Sequence, residues 1–258
     1  MSGIGIWRDS AGNTYSIEQN NNTKVRTLLL RRSPNGVVST VAGDAYGQAD
    51  GRGPAAKFSS VTAMTFGPDG NIYLTDGTGV RRVTLDGDVK TIAKDVTSRT
   101  ADDKPTLFGG TDKDIFGLAV DTVGNVYVAD AGNRRLVKIA NDGKWSVVYR
   151  VDPPYFPTGV FATPKGDVYV LEFSYAPPGT TDKPRVRKIS ADGQNRIVIS
   201  FLCPPSWQCG TDAELVQSRS QSIIGFINAR IMYLVLLLVA GLAFVTILFW
   251  RKSGKQRI

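Results

Sequence analysis

Four acids recur at one position of a repeated word: Glu18, Asp76, Asp130 and Glu172. Each closes a stretch of the form Gly-[Asn/Asp]-x-Tyr-x-x-[Asp/Glu]. The copies are GNTYSIE from Gly12, GNIYLTD from Gly70, GNVYVAD from Gly124 and GDVYVLE from Gly166. Carboxylates repeated at equivalent heights could together hold calcium, which takes about six to eight oxygens. The alternative is that each acid serves its own repeat, accepting from a nearby loop or pairing with an arginine, as Asp130 would with Arg134 or Arg135. Repetition alone explains the period under that reading.

The remaining reactive groups are few. Histidine is absent, which excludes Ser-His-Asp and Cys-His nucleophile systems and any histidine-ligated zinc or iron. The only cysteines are Cys203 and Cys209, and two sulfurs cannot complete a tetrahedral structural zinc site. In an exported protein these two are a disulfide candidate closing a small loop, worth roughly 2 kcal/mol in the chain-entropy account. Asp44, Asp50 and Asp76-Gly77 crowd the connections around the second word, but the spaced acids and twelfth-position glutamate of a helix–loop–helix calcium site are missing, so they read as turn residues. Asn21-Asn22-Thr23 has the form of a glycosylation sequon.

The elements that must position these residues follow from the text around each word. A short apolar run precedes it, as in VTAMTFGPD and IFGLAVDTV, and a Val- and Arg-rich run follows, as in GVRRVTLD and RRLVKIA. A turn comes next (Asn35-Gly36, Asp86-Gly87, Asp142-Gly143, Asp192-Gly193), and a last run closes the cassette. Four short runs joined by Gly-[Asn/Asp] and [Asp/Asn]-Gly turns make a four-stranded antiparallel meander. One such sheet cannot bury both faces, so neighbours stack, and a repeat of this length predicts an all-β propeller. The words begin 58, 54 and 42 residues apart, the excess lying between cassettes. Blades are expected at about 3–43, 60–95, 114–150 and 156–201, within a propeller region 1–202. The insertions 95–114 and 174–183 are longer than the cassette needs; they are either idle solvated loops or the place where a ligand docks.

Beyond that region the composition changes. Residues 203–230 are polar, without β patterning, and read as a stalk. Ile231 to Trp250 is twenty residues without a charge, long enough as a helix to span a bilayer core. The tail 251–258 carries four basic residues in eight, which places it in the cytoplasm and the propeller outside by the positive-inside rule. Much of the formal charge of +8 belongs to this membrane flank. No basic stripe interleaved with aromatics marks a nucleic-acid binder. The start, MSGIGIWRDS, has no apolar signal core. A chain beginning there would insert as a tail anchor, with the large domain left in the cytosol. Missing upstream blades and a signal segment would reconcile the two orientations, against the alternative of a compact four-bladed ring.

The stretch VAGDAYGQADGRGPAAKF (41–58) ahead of GNIYLTD, and AVDTVGNVYVADAGNRRLVKI (119–139), resemble NHL-repeat propellers over about residues 3–200. The resemblance implies a β-propeller that acts more often as an interaction scaffold than as a catalyst. NHL rings usually have five or six blades, against four cassettes here. The expectation is a single-pass membrane scaffold, tail in the cytoplasm and propeller outside, whose loops bind a protein, peptide or glycan. It carries no catalytic residue and no cofactor. The competing expectation is a histidine-independent hydrolase or lyase resembling six-bladed enzymes, using Glu172 or Glu18 with calcium. A purely structural spacer is a third.

Overall fold

The computed structural model describes residues 7–19, 26–101, 114–174 and 184–200. Seventeen strands form four antiparallel sheets, one per cassette. Sheet 1 is β1 (Trp7–Arg8), β2 (Thr14–Gln19), β3 (Thr27–Arg32) and β4 (Val38–Ala42). Sheet 2 holds β5 (Gly51–Arg52), β6 (Met64–Phe66), β7 (Ile72–Asp76), β8 (Gly79–Val83) and β9 (Asp88–Ala93). Sheet 3 is β10 (Ile115–Val120), β11 (Val126–Asp130), β12 (Arg135–Ile139) and β13 (Trp145–Arg150). Sheet 4 is β14 (Tyr155–Ala162), β15 (Val168–Ser174), β16 (Arg185–Ile189) and β17 (Asn195–Ser200).

Each sheet runs in chain order as a meander, with one addition that the repeat pattern did not reveal. In sheet 2 the short β5 pairs antiparallel with the outermost strand β9, with Gly51 opposite Val89 and Arg52 opposite Asp88. Every sheet also bulges between its third and fourth strands at equivalent places: Leu29/Leu30, Val80/Arg81, Leu136/Val137 and Val186/Arg187. An extra residue there bends the strand and strengthens the local twist.

Side chains alternate across a strand, so each sheet has two faces. The repeated tyrosine faces the next sheet, and the residues on either side of it face the preceding one. Tyr15, Leu29 and Val41 of sheet 1 share one buried cluster with Ile72, Leu74 and Val83 of sheet 2. Tyr73 and Val80 of sheet 2 join Val126, Val128 and Ile139 of sheet 3, and Tyr127 and Leu136 of sheet 3 join Val168, Val170 and Ile189 of sheet 4. Four-stranded meanders packed face to face in chain order have the construction of propeller blades. The two outer faces differ. Thr14, Ser16 and Glu18 point away from sheet 2, where the other sheets carry a valine, isoleucine or leucine before the acid. Tyr169, Leu171 and Phe173 on the far face of sheet 4 are apolar and half-buried.

The expected span 231–250, the stalk with Cys203 and Cys209, the tail, the sequon and most of the two long insertions lie outside the described residues. Among the described residues, no helix is long and apolar enough to cross a membrane.

Candidate functional site

The repeated word builds a different polar device at each end of its strand. At the turn end, the glycine takes a left-handed φ in every copy, from 74° to 93°, which a side chain would strain. The residue after it then ties the turn to an acid. Asn13 donates its N–H and its amide to the two oxygens of Asp9, both at 2.8 Å, and Tyr15 donates its hydroxyl at 3.0 Å. Asp121 receives Asn125 twice at 2.8 Å and Tyr127 at 3.3 Å, and Asp69 receives Asn71 and Tyr73 likewise. Asparagine and tyrosine therefore recur because they donate to one carboxylate. Desolvation, with Asp121 behind it, pushes the Tyr127 phenol up to about 12.

Sheet 4 keeps the geometry with the groups exchanged. Thr163 stands where Asp121 would be, accepting the N–H of Asp167 at 3.1 Å, and Asp167 pairs with Lys188 at 2.7 Å.

At the loop end lie the four acids. Asp130 is fully buried and meets Arg135 Nε at 2.7 Å, while Asn133 donates to both of its oxygens. Arg135 reaches on to the carbonyls of Val96 and Ser98, so the pair also fixes the chain entering sheet 3. Asp76 pairs with Arg81 at 2.8 Å and accepts from Ser59 and Ser60. Glu172 lies between Arg185 and Arg187. Glu18 with Arg26 repeats the pairing at 2.8 Å, but with side chains 52% and 57% exposed. Each acid is thus paired with an arginine beside its own blade, and Asp130 takes Arg135 rather than Arg134. Burial raises the Asp130 carboxyl above its ordinary value, opposed by Asn133 and Arg135. Among the described residues no three Cys, Asp or Glu side chains gather closely enough to hold a metal ion.

Asp50, one of the three acids read as turn residues, shares Arg81 with Asp76. Its Oδ1 accepts from Arg81 at 2.8 Å and from the N–H and hydroxyl of Thr91 at 2.9 and 2.8 Å. Burial would raise this carboxyl, but Thr91 and Arg81 outweigh it and hold it below the ordinary value. Asp50 edges an open cleft of ≈ 720 Å³ between the outer parts of sheets 2 and 3. Gln48, Asp50, Arg81, Thr91, Lys94 and Asp142 line it. Arg81 is 3% exposed, whereas Lys94 and Asp142 stand out at the rim. The cleft therefore offers both charge signs with hydrogen-bonding groups between them, a surface suited to a polar segment carrying both. Sequence reasoning missed it because its walls come from β5's approach and two separate cassettes.

No known protein family and no curated protein matches the chain. Among solved structures it is similar to virginiamycin B lyase from Staphylococcus aureus with quinupristin, at 13% identity and TM-score 0.47, covering 78% of this chain and 70% of that one. It is similar to regucalcin from Agrobacterium tumefaciens, a calcium-binding protein, at 16% identity and TM-score 0.43, covering 64% and 51%. It is also similar to a chain of the nidogen/laminin complex, at 18% identity and TM-score 0.44, covering 73% and 62%. These are β-propeller-type proteins.

Proposed function

We propose that the protein is a non-catalytic binding scaffold of NHL-like propeller type, held at a membrane by residues 231–250, with its ligand docking across the cleft between sheets 2 and 3. The observation that carries this reading is the state of the repeated acids. Asp76, Asp130 and Glu172 are buried against arginines, so these carboxylates serve the fold. Among the described residues, the cleft between sheets 2 and 3 sets polar groups facing solvent in a concave place. The uncharged run 231–250 and the basic tail support the anchor and an extracytoplasmic propeller. Glu172 or Glu18 is the residue on which a histidine-free hydrolase or lyase would depend, and both are engaged by arginines, Glu172 by Arg185 and Arg187 and Glu18 by Arg26.

The test uses full-length protein in lipid nanodiscs carrying a photo-crosslinker at Thr91. A discrete crosslinked partner is expected, lost in Lys94→Glu and Asp142→Lys and kept in the remote Asp192→Lys. A panel of lactone and amide substrates is assayed alongside, with and without calcium. Turnover that disappears in Glu172→Gln would overturn the scaffold reading, as would crosslinks indifferent to the cleft variants.

A further inference from the structure

Arg134 is the buried cation that the repeated pairs leave over. It is 4% exposed, and its one polar side-chain contact is Nη1 to the carbonyl of Tyr155 at 2.9 Å. A buried charge without a counter-charge is costly unless something else supplies one. Burial alone accordingly lowers its pKa. Among the described residues, the fully enclosed side-chain donors lacking a partner are Trp7 Nε1 and Arg81 Nε. The Nε and Nη2 of Arg134 make no hydrogen bond among the described residues.

The position is built. Arg134 has φ 51°, the one non-glycine residue among those described with a left-handed backbone. Such strain persists only where its surroundings enforce it. Here the Arg134 N–H bonds the carbonyl of Ala131 at 3.2 Å, and its own carbonyl accepts from Val151 at 2.7 Å. Asn133, 3% exposed, anchors the turn to Asp130 and to the carbonyl of Thr97. Arg185 stacks 3.5 Å from the ring centre of Tyr155, the residue whose carbonyl Arg134 holds. Arg185 and Arg187 share the single acid Glu172.

We infer that Arg134, at the loop end of the seam between sheets 3 and 4, is the anchor of an anion site that takes a carboxylate. With Nη1 engaged, the edge formed by Nε and Nη2 presents two parallel N–H groups, the fork that matches a carboxylate. One nearly buried positive charge suits a monoanion better than a dianion, which would bring a second charge into the same small space. The site is independent of whatever occupies the cleft between sheets 2 and 3.

The test follows thermal unfolding of the full chain in detergent at fixed ionic strength. The probes are acetate, inorganic phosphate, and a tripeptide with a free or an amidated C-terminus. A ligand of the native state raises the midpoint. Arg134→Gly removes the guanidinium while glycine accepts the φ, and Arg134→Asn does so with a second residue that tolerates it. The expected result is a rise of a few degrees with acetate or the free-acid peptide, absent in both variants. Acetate acting as well as the peptide identifies a small free carboxylate, whereas the free-acid peptide acting alone identifies a peptide terminus. The inference is overturned by equal responses in wild type and variants, by no response, or by a response to phosphate alone.

Discussion

Replacing Asp130 with asparagine keeps the shape of the side chain and removes its charge, taking the counter-ion at 2.7 Å from an Arg135 guanidinium at zero exposure. Breaking one partner out of a buried ion pair costs about 3–5 kcal/mol, because the other charge stays buried and unpaired. The same chemistry in sheet 1 gives the internal control. Glu18 and Arg26 are more than half exposed, where an ion pair is worth about 1 kcal/mol or less. For a chain of this size, about 2–4 °C of midpoint accompanies each kcal/mol. Asp130→Asn should therefore lower the midpoint by roughly 6–20 °C, and Glu18→Gln by no more than about 4 °C. Asp76→Asn should fall between them, because Arg81 retains Asp50 at 2.8 Å. Tryptophan fluorescence is a suitable readout, since Trp145 lies 5.2 Å from the Arg135 guanidinium. If Asp130→Asn costs no more than Glu18→Gln, burial does not set the worth of these pairs and the reasoning fails.

Gly43→Ala should destabilise by more than about 2 kcal/mol, because its φ is 96° and a Cβ would stand 2.3 Å from the Thr27 carbonyl. Gly36→Ala, at φ 88° with open space around it, should cost about 1 kcal/mol; equal losses in urea melts would refute the contrast. Asp9, Asp50 and Asp69 are all held below the ordinary carboxylate value of 3.8. Their contribution is therefore complete above about pH 4 and lost as pH falls through the depressed folded values; Asp50→Asn should flatten that acid limb of the unfolding curve. At the alkaline end the sign reverses. The raised Tyr127 phenol contributes fully below its ordinary value of 10.0 and loses that contribution as pH climbs towards about 12, so Tyr127→Phe should remove the latest phenol step in an ultraviolet titration. Calcium at millimolar concentration should leave the midpoint unchanged, and a rise would show a native-state calcium site.

The sheets were legible because turn chemistry is local. A Gly-Asn pair before a tyrosine and an Asp-Gly pair two strands later mark two hairpin ends, and alternating Val, Ile and Leu fill the strands between. The reason for the asparagine was hidden, since its acceptor lies four residues back in Asp9 and Asp121 but only two back in Asp69. The arginine partners were half legible. Arg134 and Arg135 are adjacent and chemically alike, and only the left-handed turn decides that Arg135 meets Asp130 while Arg134 turns to Tyr155. The strand β5 was illegible, because a two-residue pairing of Gly51 and Arg52 has no periodicity to detect. The cleft was illegible for the same reason that any non-local site is: Asp50, Thr91 and Asp142 meet through topology.

The exchange in sheet 4 has an evolutionary corollary. Asp121 with Asn125 and Thr163 with Asp167 are two solutions to one turn, each with one acid across two positions. A lone substitution at either position yields two facing acids or none, beside a lysine that both sheets carry, Lys138 opposite Tyr127 and Lys188 opposite Tyr169. Descendants of an ancestral blade could therefore pass from one solution to the other only through an intermediate that is electrostatically worse than both. Drift at these two sites should come in linked pairs.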